Sequence, residues 1–261
     1  MKIVVCIKQV PDTVHVRINE RTGAMEREGV PAVVNPYDLY ALEEALRLRE
    51  AHGGSVAALT MGPPQAEAVL REAIALGADE GYHLSGREFA GGDTLATSYA
   101  LARAVERIGE VRLVLCGKQA IDGDTAQVGP ELAEHLGLPF LGFVRRVREA
   151  HPGRIVVERM TEEGADAVES PLPAVLSVVK EINTPRLPSL KGKMRAKSFK
   201  ATTWNAAAIG ADETRLGFAG SPTKVVKVFH PEARRGGEII AGEPAEAVAR
   251  LAERLRSQGF C

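Results

Sequence analysis

The residues best suited to chemistry lie in one stretch that runs from Val111 to Gly137. It opens with a short apolar run ending at Cys116, which predicts a buried strand, and it closes with apolar residues four apart from Val128 onwards, which predict a helix. A polar loop with glycines and two aspartates joins them. A strand, loop and helix start in this order direct backbone N–H groups at one point, where unpaired first-turn donors and the helix dipole attract phosphate. The stretch therefore predicts a nucleotide-binding loop.

The loop lacks the specific signatures of common nucleotide-binding motifs. No Lys-Ser or Lys-Thr pair follows its last glycine, and the chain contains no G-x-G-x-x-G sequence. Asp122 and Asp124 would repel a neighbouring phosphate, although a carboxylate can accept hydrogen bonds from ribose hydroxyls. Alternatively, Asp124 or Thr125 simply caps the following helix. The residues alone leave nucleotide binding and helix capping open.

Composition and charge argue against several classes of function. The chain has 261 residues, with 33 Lys and Arg against 34 Asp and Glu, so bulk charge indicates neither nucleic acid nor a membrane surface as partner. The three cysteines (Cys6, Cys116 and Cys261) form no C-x-x-C pair, and the six histidines are scattered. This pattern predicts no disulfide framework, no metal site, and buried free thiols at Cys6 and Cys116.

The sequence shows no pattern typical of an active site. We find neither paired carboxylates beside a histidine nor a nucleophile elbow, so we expect no catalytic residues and no enzymatic activity. The chain enters a strand-like run at once and contains neither a signal-peptide pattern nor an apolar run long enough to span a membrane. We therefore expect a cytoplasmic protein.

Strand-like and helix-like segments alternate over the first half of the chain. Buried strands are predicted at Ile3–Ile7, Ser55–Met61 and Tyr82–Leu84, and a helix is predicted to start at Asn35-Pro36. Alternating residues from Val14 to Ile18 predict a hairpin arm. This order predicts an α/β fold with a doubly wound, mostly parallel, Rossmann-like sheet and antiparallel additions.

Ligands of doubly wound sheets bind beyond the carboxyl ends of the strands. In this chain the rule brings four segments to one edge of the predicted sheet. They are Ile7–Pro11, Asn35-Pro36, Met61-Gly62 and Gly117–Gly129.

The chain changes character after Pro139, where strand-like segments follow one another without long helices. The stretch Asn183–Lys197 carries prolines and basic residues and predicts a loop outside the sheet core. One strand at Val225–Phe229 and one amphipathic helix at Pro244–Gln258 follow, and two elements cannot form their own core. We expect a nucleotide-binding domain over 1–182, a loop over 183–201, and an extension over 202–261 that packs on its own domain or on a partner.

The stretch Pro171–Lys197 contains the most specific pattern of the chain, P-L-P-A-V-L-S-V-V-K-E-I-N-T-P-R-L-P-S-L-K-G-K-M-R-A-K. It resembles the signature of the beta subunits of the electron transfer flavoprotein family, in which Asn-x-Pro-Arg and Met-x-Ala-Lys follow a strand. Lys8, Asn35-Pro36, Gly62-Pro63 and Gly117–Asp122 match as well. The resemblance covers essentially the whole chain.

The resemblance implies a heterodimer in which an alpha subunit holds the working FAD. Flavin dehydrogenases, such as the acyl-CoA dehydrogenases of fatty acid beta-oxidation, would reduce that FAD, and a membrane electron transfer flavoprotein-quinone oxidoreductase would reoxidise it. The extension over 202–261 would then pack on the alpha subunit. The resemblance also implies a buried AMP on this chain. By position, its site would be lined by Cys6, Asn35, Pro36, Tyr37, Asp38, Met61, Asp122, Gly123, Asp124, Thr125, Ala126, Gln127, Val128 and Gly129.

The resemblance also implies that the loop over 183–201 is the family's dehydrogenase-recognition segment. Leu190 falls where the family has an anchor leucine, and the cations around it would steer the encounter with an acidic partner. The alternative is that Leu190 packs in the core of its own chain. The residues implied in partner recognition are Leu190, Met194, Arg186, Lys191, Lys193, Arg195 and Lys197.

Two features of the chain bear on its likeness to particular members of the family. Thr13 stands where some members have an aromatic residue near the flavin. The loop D-G-D-T-A-Q-V-G-P is also similar to that of members that bifurcate electrons and bind a second FAD in place of AMP. A free-standing ATP- or AMP-binding α/β protein and a nicotinamide-dependent dehydrogenase are further alternatives.

Overall fold

The computed structural model describes residues 1–12, 17–18, 25–26, 32–224 and 237–260, of which 17–18 and 25–26 are described by their backbone alone. Its contacts divide the chain into two compact units, Met1–Val225 and Val226–Cys261. The strands are β1 (Lys2–Cys6), β2 (Gln9–Pro11), β3 (Arg17–Ile18), β4 (Met25–Glu26), β5 (Ala32–Val34), β6 (Ser55–Met61), β7 (Glu80–Leu84), β8 (Val111–Gly117), β9 (Phe140–Ala150), β10 (Arg154–Met160), β11 (Ala165–Pro171), β12 (Ala174–Val178) and β13 (Thr202–Trp204). The α-helices are α1 (Pro36–His52), α2 (Glu67–Leu76), α3 (Thr94–Ile108), α4 (Val128–Leu136), α5 (Leu190–Ser198), α6 (Gly217–Gly220) and α7 (Pro244–Ser257).

A nine-stranded sheet forms the centre of the first unit, in the order β11-β10-β9-β12-β8-β1-β6-β7-β13. Neighbouring strands from β9 to β13 run parallel, whereas β10 is antiparallel to both β9 and β11. Two short antiparallel pairs, β2 with β5 and β3 with β4, lie outside this sheet. The predicted α/β class, with a mostly parallel sheet and antiparallel additions, is confirmed.

Helices cover the sheet on both faces, and β1 shows how the sequence produces this. Ile3 and Val5 point to one face and pack in a cluster with apolar residues of α1 and α2. Val4 and Cys6 point to the other face and pack with residues of α3 and α4. A strand buried on both faces has to be apolar at consecutive positions, which is why it reads as a continuous apolar run.

The segment over 183–201 contains a helix, so the predicted loop is wrong in its second half. The hydroxyl of Ser189 accepts a hydrogen bond from the Gly192 backbone N–H (3.0 Å) and caps α5. Gly192 lies so close to the Ala75 carbonyl on α2 that a side chain would not fit. Ala196 and Phe199 pack against the buried core. Contacts with α2, which are distant in sequence, therefore hold this basic segment in a helix.

Residues 202–224 belong to the first unit, although the sequence analysis assigned the start of the extension to residue 202. β13 pairs in parallel with β7, and Ala206, Ile209 and Leu216 are buried in the core. These apolar residues are spread over irregular backbone, so they show no period that a sequence pattern could reveal. The predicted hairpin arm is seen only as the backbone pairing of β3 with β4. Thr13 and the predicted strand Val225–Phe229 lie outside the described residues.

The second unit is described from residue 237 and contains α7. Pro244 occupies the start of the helix, as expected for a residue without a backbone N–H. Val248, Leu251 and Leu255 follow at helical spacing and are exposed. None of the helices in the described part of the chain has the length and apolar character that a membrane crossing requires.

Candidate functional site

The carboxyl ends of β1, β6 and β8 lie side by side at one edge of the sheet, which we call the rim. Cys6 at the end of β1 is in register with Leu59 of β6 and with Cys116 of β8. Met61 ends β6, and Gly117 ends β8. The rim therefore collects the segments that the sequence analysis assigned to it.

Asn35 connects two of these segments. It occupies the N-cap position of α1, with Pro36 at the first helical position, as the sequence predicts. Its side chain, however, does not cap the helix. The amide nitrogen donates to the Gln119 carbonyl (2.9 Å) and the amide oxygen accepts from the Ile121 N–H (3.2 Å). Buried Asn35 therefore holds the loop after β8 against the start of α1.

Asp38 connects the same helix to the strand ends. One of its carboxylate oxygens accepts a hydrogen bond from the Lys8 N–H (2.8 Å), just beyond β1. The Gly117 backbone at the end of β8 also hydrogen-bonds this carboxylate. A Cβ atom on Gly117 would lie 2.5 Å from Asp38 Oδ1 and 2.6 Å from the Tyr37 carbonyl carbon. Only glycine allows α1 and β8 to approach this closely.

Burial changes the protonation of Asp38. The side chain is removed from water, and desolvation raises its pKa to about 7 against the opposing hydrogen bonds from Lys8, Asn35 and Gly117. The carboxyl group therefore titrates near neutral pH at the centre of the rim.

We expect Asp38→Asn to change the pH dependence of stability. Because the folded-state pKa of about 7 lies above the ordinary value of 3.8, the folded protein holds a proton that the unfolded chain releases between these pH values. The stabilisation from this group is complete below pH 3.8 and is lost as the pH rises through 7. The loss is on the order of 4 kcal/mol.

Asparagine carries no titrating proton, so this component should vanish in the variant. Denaturant unfolding of both proteins at pH 5 and pH 8 measures the difference. A variant whose unfolding free energy falls with pH as steeply as that of the wild type would contradict the assignment.

The loop between β8 and α4 has an unusual backbone. Asp124 and Ala126 adopt positive φ angles of 58° and 55°, which non-glycine residues rarely do. The Gln119 side-chain amide donates to Asp124. The Lys8 ammonium group contacts both carboxylate oxygens of Asp122 at 2.7 and 2.8 Å. This ion pair offsets the charge of Asp122, which the sequence analysis counted against a phosphate.

Among the residues that the structure describes, no side chain caps α4, so the alternative that Asp124 or Thr125 caps this helix is wrong. Gln127 occupies the N-cap position in a helical conformation, and its side chain makes no capping hydrogen bond. The Thr94 hydroxyl lies within hydrogen-bonding distance of the side-chain oxygens of Gln127 (3.3 Å) and Glu131 (3.0 Å), which ties α4 to α3. The N–H groups of Val128 and Gly129 in the first turn of α4 are left for another acceptor, whereas Pro130 has no N–H and the Glu131 N–H donates to the Gln127 carbonyl (3.1 Å). Such free N–H groups commonly bind anions.

The two cysteines at the rim are buried free thiols, as predicted. A hydrogen bond with Cys6, together with burial, raises the pKa of the Cys116 thiol well above its usual range. Among the described residues, no group of three or more His, Cys, Asp and Glu could hold a metal ion.

The structure brings all predicted nucleotide-site residues to the rim or to the loop and helix start that border it. The contacts that hold these residues together were not predicted from the sequence. Gly117 and the two hydrogen bonds of the Asn35 side chain fix the loop, and Lys8 pairs with Asp122. No local pattern marks these contacts, because the partners are distant in sequence.

The residues predicted for partner recognition fall into two groups. Leu190 and Met194 on α5 are 78% and 65% exposed, so Leu190 is not a core residue of this chain. Lys191, Lys193 and Lys197 are exposed too.

Arg186 and Arg195 instead face their own chain. Arg195 donates to the carbonyls of Ile74 (3.0 Å) and Ala78 near the end of α2. Arg186 binds Glu43 and Glu50 on α1, and these carboxylates hold the pKa of its guanidinium above the usual range. No role for Glu43 or Glu50 was predicted from the sequence.

Comparisons with known proteins agree with this architecture. A family model described as the electron transfer flavoprotein domain matches residues 22–209. The chain is 50% identical over 261 residues to the electron transfer flavoprotein subunit beta of Thermoanaerobacterium thermosaccharolyticum, with 99% of both chains covered. It is 46% identical over 250 residues to the caffeyl-CoA reductase-Etf complex subunit CarD of Acetobacterium woodii, with 95% of both covered.

It is also 45% identical over 267 residues to protein FixA of Azorhizobium caulinodans, with 99% of this chain and 95% of that protein covered. The family match spans well over half of the chain, and the identity to beta subunits extends over its full length. The chain therefore belongs to the electron transfer flavoprotein family and is related to its beta subunits.

Proposed function

We propose that this chain is the electron-carrier beta subunit of a heterodimer whose alpha subunit holds most of a working FAD. The FAD would accept electrons from a flavin dehydrogenase, such as an acyl-CoA dehydrogenase of fatty acid beta-oxidation, and pass them to a membrane quinone oxidoreductase. This chain has no catalytic residue in the proposal. Its role is to bind a structural adenine nucleotide, to pack on the alpha subunit through its C-terminal extension, and to dock the dehydrogenase.

The uncapped start of α4 is the observation that most supports a nucleotide at the rim. It lies beside the loop that Asn35 fixes to the start of α1, and the Lys8 ammonium offsets the nearby Asp122 carboxylate. The backbone N–H groups of Val128 and Gly129 at the start of α4 fit a phosphate. The carboxylate of Asp124 fits the hydroxyl groups of a ribose. We propose AMP as the occupant, with a second FAD as the alternative. The second-FAD alternative rests on the loop D-G-D-T-A-Q-V-G-P, which is similar to that of family members that bind a second FAD in place of AMP.

Mass spectrometry of the nucleotides released from the purified native heterodimer tests the proposal. One FAD and one AMP per heterodimer is the expected result, and two FAD molecules would favour the alternative. A heterodimer that releases FAD but no second nucleotide would contradict the rim assignment. A colourless monomer that turns over ATP would overturn the electron-carrier function itself.

A Thr125→Ala, Gln127→Ala double variant is expected to lose nucleotide and thermal stability together. Ligand binding to the folded state alone stabilises by roughly 4 kcal/mol at a thousandfold excess over the dissociation constant. The readouts are the nucleotide content of the purified heterodimer and its melting temperature. Thr161→Ala, at the exposed turn between β10 and β11, is the control and should change neither. Wild-type nucleotide content in the double variant would contradict the assignment of these residues.

A further inference from the structure

Three exposed apolar residues, Leu187, Leu190 and Met194, form a surface that we call the docking patch. They are 89%, 78% and 65% exposed. Leu190 and Met194 lie one helical turn apart on α5, so they share a face of the helix. The proposed docking of a dehydrogenase needs these side chains held in one arrangement, because ordering them at the moment of binding would weaken the complex.

Arg186 immediately precedes the docking patch and is held by α1. Its backbone N–H donates to Glu43 (3.1 Å), and its guanidinium donates to both oxygens of the same carboxylate at 2.7 and 3.2 Å. The same guanidinium donates to both oxygens of Glu50 at 2.5 and 3.1 Å. A planar guanidinium that binds two carboxylates through paired hydrogen bonds fixes direction as well as distance.

Other contacts fix the segment on both sides of this clamp. The Asn183 side chain donates to the Tyr40 carbonyl (3.0 Å) and to Glu44 (3.1 Å), again on α1. Beyond the patch, Arg195 binds carbonyls near the end of α2. The docking patch is therefore carried between one attachment to α1 and another to α2.

We propose that Arg186 is a positioning residue for partner docking, which binds Glu43 and Glu50 to hold the docking patch and does not itself recognise the partner. The inference rests on the proposed docking function. Two carboxylates offset the charge of Arg186, so it contributes little to attraction over a distance. This separates Arg186 from Lys191, Lys193 and Lys197, which no carboxylate among the described residues binds.

The consequence is a specific kinetic signature. If the clamp is broken, the patch spends part of its time in arrangements that cannot dock, and apparent affinity falls in proportion to the competent fraction. The encounter that does succeed transfers electrons as before. The KM for the flavoprotein should rise while kcat stays unchanged, which is the pattern of lost binding without lost chemistry.

The test uses the full heterodimer, reduced by a purified acyl-CoA dehydrogenase with its acyl-CoA substrate. We expect Arg186→Gln and Arg186→Lys to raise the KM for the heterodimer roughly tenfold, as when the competent fraction falls to about a tenth. Both should also speed hydrogen exchange of the α5 amides. Arg47→Gln is the matched control, because Arg47 binds the same Glu43 carboxylate (2.8 Å) from within α1. It should change neither readout.

Several outcomes would overturn the inference. Arg186→Lys with a wild-type KM would mean that charge alone matters. A raised KM without faster exchange in α5 would mean direct contact with the partner. If Arg186→Gln fails to assemble, Glu50→Gln removes the more exposed half of the clamp, and a wild-type KM in that variant would count against the inference.

Leu190→Ala separates this inference from the function on which it rests. A wild-type KM in Leu190→Ala would end the proposed docking role and the positioning role with it. A raised KM in Leu190→Ala together with a wild-type KM in Arg186→Gln would overturn the positioning role alone.

Discussion

A heterodimer carrying Gly117→Ala is expected to lose most of its rim nucleotide and to melt several degrees earlier than the wild type. The added Cβ would lie 2.5 Å from Asp38 Oδ1 and 2.6 Å from the Tyr37 carbonyl carbon. The latter is backbone in the first turn of α1, so it cannot turn aside as a flexible side chain could. Overpacking of this kind costs about 1–3 kcal/mol, and sometimes more. Each kcal/mol lowers the melting temperature of a domain of this size by about 2–4 °C.

Gly153→Ala is the control for this prediction. Gly153 lies in the turn between β9 and β10, outside the rim, and nothing lies within 4 Å of the Cβ that it would gain. The measurements are the melting temperature and the nucleotide released on denaturation. If both variants keep their nucleotide, the close approach of α1 and β8 at Gly117 has no part in forming the rim site.

Leu190→Ala is expected to cut the rate of electron transfer from the dehydrogenase at least tenfold when the heterodimer is present at limiting concentration. Folding, heterodimer assembly and flavin content should stay intact. Leu190 is 78% exposed in its own chain, so truncating it removes little buried surface. Burying a leucine side chain in a partner's pocket contributes roughly 1.5–3 kcal/mol. That corresponds to roughly a tenfold to hundredfold change in affinity.

A core position for Leu190, which its 78% exposure contradicts, would predict the opposite pair of results. Truncating a core leucine costs ~2–5 kcal/mol of stability, and transfer per folded molecule would be little changed. Met194→Ala and Met160→Ala form a matched pair for the same measurement of electron transfer. Both methionines are exposed, but only Met194 belongs to the docking patch, so only Met194→Ala should slow the transfer. A Leu190→Ala protein that melts early and still accepts electrons at full rate would contradict docking.

Much of the fold could be predicted from sequence, because buried parallel strands have a recognisable composition. Ile3–Ile7 and Ser55–Met61 read as apolar runs, and the structure places β1 and β6 next to each other at the centre of the sheet. The rule that ligands lie at the carboxyl ends then located the rim. The Asn-Pro pair at residues 35 and 36 also correctly predicted the start of α1.

The parts that could not be predicted depend on contacts between distant residues. Asn35 occupies the N-cap position of the predicted helix, but its side chain binds Gln119 and Ile121, which lie far along the chain. The composition of residues 183–201 indicated a loop, and packing on α2 made a helix of it. Arg186 was predicted to be one of the cations that steer the encounter with a partner. Its two carboxylate partners lie on α1, more than a hundred residues away in sequence, so the pairing was not predicted. Sequence composition shows that a charge is present, but it does not show which way the side chain points.

The helix α1 contacts both the rim proposed to bind a nucleotide and the segment that bears the proposed docking patch, and this restricts how its length can vary. Asp38 meets Gly117 at the rim, and Glu43, five positions later on the same helix, holds the segment that bears the docking patch. One residue inserted between them would advance the distal part by about 1.5 Å and rotate it by about 100°. Glu43 would then turn away from Arg186 while Asp38 stayed in place. We therefore expect insertions and deletions to be tolerated before Asn35 or after Glu50 but not between Asp38 and Glu43, where two separate surfaces set the register of one helix.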